Sequence, residues 1–262
     1  MKKKQLTLGE KIQNVLEYDS EYRNIKITAE KIKSSGAEIQ VSKSKSGSSK
    51  NILVNDTELN ISFAPVTAEQ DNAESIPELE EKINNCKKCP LGSSRKNFVF
   101  GTGSPDAKIV VIGEAPGRDE DEQGKPFVGR AGKLLTDILK AIDLTREEVF
   151  IANILKCRPP DNRNPLPGEI EKCLPHLIKQ MKLINPDYVL AVGTFAGQTI
   201  LNTKDTLGKM RGKIHTVNFF GKDVKAVVTY HPAALLRNPN WKRPAWEDVK
   251  LFRSEYEKTL KH

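Results

Sequence analysis

Four side chains in this 262-residue sequence stand where apolar runs give way to polar or glycine-rich segments, and each offers a different chemistry. Glu114 follows the apolar, β-branched run Ile109-Val110-Val111-Ile112-Gly113 and supplies a carboxylate. Phe127, on a polar loop between Gly124 and Gly129, can offer its face to a flat ligand. Asn153 closes a second apolar run and carries an acceptor and two donors, enough to read a ring with adjacent carbonyl and N–H groups. His231 follows the last apolar run, just before Pro232, and supplies an imidazole. Each has an ordinary alternative: a loop tie for Asn153, a core ring for Phe127, a structural role for His231. Together they form a carboxylate, an aromatic platform, an amide reader and an imidazole. That set fits recognition of a nucleobase flipped out of a helix. It also fits nucleotide-binding enzymes of other kinds, so the reaction stays open.

The second chemical group is sulfur. Cys86 and Cys89 are two residues apart, and a C-x-x-C turn lets two thiolates face one metal. Cys157 and Cys173 bracket the proline-rich stretch Arg158–Pro167. Without an export signal, four cysteines favour metal or redox chemistry over disulfides. A single four-thiolate site could hold structural zinc or an iron–sulfur cluster. Spacing does not separate the two, and zinc is the simpler occupant.

The elements that must position these groups follow from periodicity. Strands are expected at 108–113, 148–154, 187–193 and 225–230, with helices between the first three. Leu134, Leu135, Ile138, Leu139 and Ile142 recur at helical spacing. Residues 113–129 read as a long irregular loop between the first strand and that helix. An additional strand over Gly212–Phe220 is expected to hairpin to the last one through Gly221-Lys222-Asp223. A final helix runs from about Pro244 to Leu260. Alternating strands and helices predict a parallel sheet with helices on both faces. The four chemical residues would then cluster at the carboxyl ends of strands, where such sheets bind ligands.

The compact domain, residues 76–262, is expected to start with a helix whose capping box is Ser75 and Glu78. Residues 1–75 read as a flexible extension. It combines a short helix near 8–18, begun by Thr7 and Glu10, with a serine- and lysine-rich linker over 31–75 too poor in apolar residues to fold. The net charge is +8, with 11 basic and 11 acidic residues in 1–75, so the excess belongs to the rest of the chain. A basic globular part points to a polyanion partner. No apolar run is long enough to span a membrane. The basic start lacks the apolar segment of a signal peptide.

These motifs resemble the family 4 uracil-DNA glycosylases. The resemblance rests on Gly-Glu-Ala-Pro-Gly at 113–117, Gly-Lys-Pro-Phe-Val-Gly-Arg-Ala-Gly at 124–132, Asn-Ile-Leu-Lys-Cys-Arg-Pro-Pro at 153–160, and His-Pro-Ala-Ala-Leu-Leu-Arg-Asn-Pro at 231–239. It spans about Leu79 to Glu257 and leaves out residues 1–75. It implies a three-layer α/β/α sandwich around a mostly parallel sheet, and hydrolysis of the N-glycosidic bond between uracil and deoxyribose in DNA. It also replaces zinc by a structural four-iron four-sulfur cluster on Cys86, Cys89, Cys157 and Cys173. Phe127 would stack on uracil, Asn153 would bond its pyrimidine edge, Glu114 and Ala115 would act through the loop, and His231 would face O2. Family 1 enzymes carry an Asp where this chain has Ala115, so Glu114 or Glu120 is expected to orient the water. Glu120 could equally exclude the methyl of thymine, a task of a family 1 Tyr at the position of Gly117.

Leu235, Leu236 and Arg237 resemble the wedge that fills the gap left by the base, the alternative being that both leucines pack in the core. Lys125, Arg130, Arg158, Arg163, Arg211 and Lys213 are candidates for phosphate contacts. A monomer in the cytoplasm, beside the chromosomal DNA, is expected, with the extension docking an unidentified protein. Three other readings compete. One is a superfamily member that binds uracil-containing single strands without turnover, disfavoured because Arg158–Lys172 lacks a His. Another is a family 5 glycosylase acting on other deaminated bases. The last is a cluster-bearing accessory domain that tethers a DNA-processing partner.

Overall fold

The computed structural model describes residues 72–260. The helix expected over 8–18 and the linker up to residue 71 lie outside them. Within them the chain forms helices α1 (Ile76–Ile83) and α2 (Leu91–Ser94), strands β1 (Thr102–Gly103) and β2 (Ile109–Gly113), helices α3 (Arg118–Gln123) and α4 (Arg130–Ala141), and strand β3 (Phe150–Asn153). Then come α5 (Pro167–Ile184), β4 (Tyr188–Val192), α6 (Thr194–Leu201), α7 (Leu207–Met210), β5 (Ile214–Phe219), β6 (Lys222–Thr229), α8 (Pro232–Arg237) and α9 (Lys242–Leu260).

The strands make one sheet in the order β1-β3-β2-β4-β6-β5. The four central strands are parallel, and β1 and β5 are antiparallel edges. Every residue of β2, β3 and β4 is buried, as parallel strands covered on both faces require. Period-two alternation sorts them into two layers. Val110, Ile112, Val189, Ala191 and Val228 pack with Leu79 of α1, Leu177 of α5 and Ile200 of α6. Ile109, Val111, Leu190, Val192 and Val227 pack with Leu135 and Leu139 of α4 and Phe252 of α9. This is the expected three-layer α/β/α arrangement. Each large apolar side chain so buried contributes roughly 1.5–3 kcal/mol, so the layers collectively fix the strand ends.

The differences from expectation are local. Ser75 caps α1 by accepting the Glu78 N–H at 3.4 Å, but Glu78 returns to the Glu74 N–H at 2.8 Å rather than to Ser75. The β5–β6 turn is Phe220-Gly221, one residue early. Both lie at positive φ, 54° and 86°, which suits a two-residue hairpin. β1, at two residues, is too short to leave a readable period. The stretch after β2 is not wholly irregular, because it contains α3. Its first turn holds Asp119, Glu120 and Asp121, where a helix favours negative charge. Gly124 closes it at φ 68°. Buried Asp121 accepts the N–H groups of Lys96 and Asn97 at 2.9 and 3.2 Å, tying α3 to the segment after α2.

The β2-to-β3 connection packs through α4 in one layer, and the β3-to-β4 connection through α5 in the other. From β2 the chain moves to β3 on one side, and from β4 it moves on to β5 and β6 on the other, so the direction reverses between β2 and β4. A crevice opens at that switch, beyond the carboxyl ends of the strands.

Candidate active site

The crevice holds a cavity of about 340 Å³, lined by Glu114, Ala115, Gly117, Glu120, Phe127, Asn153, His231 and Arg237 among others. Glu114 and Ala115 follow β2, Asn153 ends β3, and His231 stands two residues beyond β6. The structure thus brings together the carboxylate, platform, amide and imidazole that lie up to 117 positions apart in the chain.

Phe127 is held in an unusual backbone conformation, with φ 53°. For a bulky residue this costs on the order of 1–3 kcal/mol and persists only where its surroundings enforce it. Three contacts do so. Arg146 donates from Nη1 to the Phe127 carbonyl at 3.1 Å and from Nη2 to the Pro126 carbonyl at 2.8 Å. Glu120 Oε1 accepts the Val128 and Gly129 N–H groups at 3.0 and 3.2 Å. A Cβ at Gly132 would overlap the Phe127 carbonyl, so only glycine lets α4 pass this close. The ring lies near the His231 imidazole, centroids 5.5 Å apart and planes 29° apart.

Asn153 is 2% exposed, and its Oδ1 is the buried side-chain polar atom left without a hydrogen-bond partner among the described residues. Leaving such an acceptor unpaired costs about 1–3 kcal/mol. A Cβ at Gly113 would overlap this oxygen and come within 2.6 Å of Phe127 Cζ, so the glycine is what lets amide and ring meet. The Asn153 carbonyl is fixed from behind by Lys156 Nζ at 2.9 Å. That fully buried ammonium also donates to Gln180 Oε1 at 2.6 Å. Burial pushes the Lys156 pKa down to about 8, against the pull of the Cys173 and Cys157 sulfurs.

His231 caps α8. Its Nδ1 accepts the Ala233 N–H at 3.2 Å, which leaves Nε2 as the protonated nitrogen of the neutral ring. Burial, with Arg237 adding, pushes its pKa down to about 4, so the ring is a neutral donor near pH 7. The strand end that carries it is anchored by Asp248 of α9. Fully buried, Asp248 accepts from Thr229 Oγ1 at 2.8 Å and from Arg211 at 2.9 and 3.0 Å.

The two candidate carboxylates differ. Glu120 is engaged by three backbone N–H groups, those of Val128 and Gly129 and that of Gly117 at 3.1 Å. Its expected role in orienting water does not suit a carboxylate locked into the loop. Glu114 accepts no such bonds. Burial raises its pKa above the ordinary carboxylate value, and Arg237 partly offsets this.

Other expectations need correction. Leu235 is 2% exposed and packs with Leu134 and Ala245, so it is a core residue and not a wedge. Leu236 is half-buried against the same cluster. Arg163 is held by both oxygens of Glu169 at 2.6 and 2.9 Å, and Arg211 by Asp248, so neither is a loose phosphate contact. Arg237 remains exposed at the cavity rim. Pro159, Asn162 and Asn164, from the stretch between Cys157 and Cys173, add a wall that their sequence did not announce. Arg146 was also unannounced, since nothing local links it to Phe127.

The cysteines lie beside this site. Cys86 and Cys89 follow α1, Cys157 lies four residues after Asn153, and Cys173 is in α5. Donors converge on the sulfurs. Arg95 Nη1 reaches Cys157 Sγ at 3.0 Å and the Cys86 carbonyl at 2.7 Å. The Lys156 N–H reaches Cys173 Sγ at 3.2 Å, and His176 Nε2 lies 3.2 Å from Cys86 Sγ. Burial raises the Cys157 pKa and takes Cys173 to about 12, with Arg95 and Lys156 pulling the other way. No three His, Cys, Asp or Glu side chains among the described residues are gathered as tightly as a single metal ion requires. No described helix is long and apolar enough to cross a membrane.

Residues 100–250 match the family described as the uracil DNA glycosylase superfamily. A type-4 uracil-DNA glycosylase of Archaeoglobus fulgidus is 46% identical over 181 residues, 68% of this chain and 91% of that protein. Type-4 enzymes of Pyrobaculum aerophilum and Sulfurisphaera tokodaii are 41% and 42% identical. They match over 68% and 69% of this chain and 92% and 84% of their own lengths.

Proposed function

This chain belongs to the uracil-DNA glycosylase superfamily, and from that premise we propose that it hydrolyses the N-glycosidic bond of uracil in DNA, releasing free uracil and leaving an abasic site. The observation that carries the reading is the unpaired Asn153 Oδ1 beside the Phe127 ring, in a cavity at the strand ends. An orphaned acceptor is tolerated when a ligand completes it. Uracil N3–H supplies the matching donor, and the Asn153 N–H group supplies one to O4.

The ring geometry bears on how the base lies. Stacked carbon atoms sit about 3.5–4 Å apart, so a third ring does not fit between Phe127 and His231. The base instead lies over Phe127 and beside the imidazole, whose Nε2–H then points at its edge and donates to O2. As the C1′–N1 bond breaks, the sugar gains oxocarbenium character and the electron pair moves to uracil, where charge develops on O2. A fixed, neutral donor there acts on the transition state more than on the ground state. Water adds at C1′, and the proton it loses passes through solvent to the uracil anion, which leaves as neutral uracil. Glu114 suits the task of orienting that water, because its carboxylate is half-buried at the cavity and makes no backbone hydrogen bond of the kind that locks Glu120. Glu120, immobilised by the loop backbone, suits a rigid wall that crowds a 5-methyl group and rejects thymine.

Cys86, Cys89, Cys157 and Cys173 fit a four-iron four-sulfur cluster in place of the zinc that spacing alone favours. Two nitrogen donors at sulfur, the His176 Nε2 in contact with Cys86 Sγ, and the cationic Arg95 and Lys156 suit a negatively charged thiolate set. When bound, such a cluster supplies a cross-link between the turn after α1, the segment after β3 and α5. Arg237, exposed beside the cavity, is suited to a phosphate next to the everted nucleotide.

The test is release of free uracil from base-labelled DNA by iron-loaded protein, with thymine-containing DNA as control. Release from the first and not the second is expected. No release from either would overturn the assignment.

A further inference from the structure

With Leu235 in the core and Leu236 half-buried, Trp241 is the exposed large apolar side chain on the segment that follows β6. Trp241 is 40% exposed, one of three large apolar residues in the described structure that are. It follows α8 in the short turn Pro239–Trp241. Its indole stacks on Tyr230, centroids 5.2 Å apart and planes 24° apart. Tyr230 is backed by the Arg211 guanidinium at 5.2 Å, and Arg211 is held by the buried Asp248. The indole is therefore a surface ring with a fixed plane. The Pro239–Trp241 turn packs against α8, whose Ala233 and Arg237 line the cavity, so the indole lies beyond the cavity's α8 edge. Arg237 and Arg243, both exposed, flank it in sequence. The exposed Phe220 differs, because it sits on the β5–β6 turn at the amino end of β6, away from the strand ends that form the cavity.

We propose that Trp241 is a stacking platform for the base of a nucleotide next to the everted uracil, a base unpaired from its complement. The proposal rests on the glycosylase reading. Stacking on an aromatic side chain is tolerant of sequence and worth enough to change affinity by about tenfold or more per base. Because Tyr230 holds the indole in place beforehand, little side-chain freedom is lost when the base arrives. A contact of this kind favours single-stranded or locally opened DNA.

The experiment uses the full-length, iron-loaded chain and a single-stranded oligonucleotide with an uncleavable 2′-fluoro-deoxyuridine. Trp241→Ala is expected to weaken binding about tenfold, with the loss in uracil release falling on KM rather than kcat. Trp241→Phe, which keeps a ring, restores most of the affinity. The chain has two tryptophans, so Trp246→Phe isolates the Trp241 emission, and the oligonucleotide should quench it. Unchanged binding by Trp241→Ala, or no quenching, would overturn the proposal, as would a kcat loss that Trp241→Phe does not rescue. If the isolated Trp241 emission is quenched by the oligonucleotide yet the wild type releases no uracil, the glycosylase reading fails while base stacking on Trp241 stands.

Discussion

The base cavity and the cysteine region are built at the two ends of one five-residue segment, Asn153 to Cys157, and they treat polar groups in opposite ways. In the cavity, Asn153 Oδ1 has no partner, and the half-buried Glu114 carboxylate has only the nearby charge of Arg237 to offset its desolvation. Among the cysteines, Arg95, His176 and the Lys156 N–H all lie within hydrogen-bond distance of sulfur. The cavity keeps polar groups unsatisfied so that a ligand can complete them. The sulfur region surrounds its groups with donors, as a stabilising centre requires. Lys156 lies between the two, gripping the Asn153 carbonyl from the cysteine side.

The largest effect should come from breaking the stabilising end. Cys157→Ser should lose iron and lower the melting temperature by roughly 10 °C, because a cross-link worth about 3–5 kcal/mol is removed. Calorimetry with iron analysis checks this, and full iron with unchanged melting would remove Cys157 from the ligand set. Asn153→Ala should show the reverse pattern. Uracil release should fall by about 10²–10³-fold, while the melting temperature barely moves, since the lost packing is offset by removal of an orphaned acceptor. A large loss of stability with intact turnover would invert the comparison.

Arg146→Lys sharpens the picture inside the cavity. An ammonium does not reproduce the fork that holds two successive carbonyls, so Phe127 should relax from its positive φ and kcat/KM should fall roughly tenfold. Single-turnover rates across Arg146→Lys and Phe127→Ala test it. Full additivity of the two losses would mean that Arg146 does not act through the ring.

The smallest effect is in the pH profile. The role proposed for Glu114 needs an ionised carboxylate, and burial raises its pKa above the ordinary 4.5, so the acid limb of kcat/KM should lie above that value and flatten in Glu114→Gln. His231 should add no limb near its ordinary 6.5, because its pKa in the fold is about 4. Its effect on stability follows the same sign. The unfolded chain binds the extra proton between those two values, so the stability from this group is complete above pH 6.5 and lost as pH falls toward 4. An activity limb at 6.5 that disappears with His231 would contradict the neutral-donor role.

Much of this was legible because it is local. Periodicity locates β2, β3, β4 and β6 to within a few residues, since a buried strand needs an unbroken apolar run. The type and spacing of Cys86, Cys89, Cys157, Cys173, Glu114, Phe127, Asn153 and His231 give the chemical inventory and carry the family resemblance. Even α3 left a trace, in the acidic first turn and the closing Gly124, although the glycines and prolines around it read as loop. The tertiary structure decided which of these groups are committed. Glu120 is tied to the backbone of its own loop, and Glu114 is free. Arg211 is neutralised by Asp248, 37 positions away, and Arg95 reaches Cys157 across 62. Leu235 turns into the core and Trp241 does not. Spacing along an element sets where a side chain starts. Its partners come from other elements, and only packing of the layers determines which buried groups are paired and which are left for a ligand.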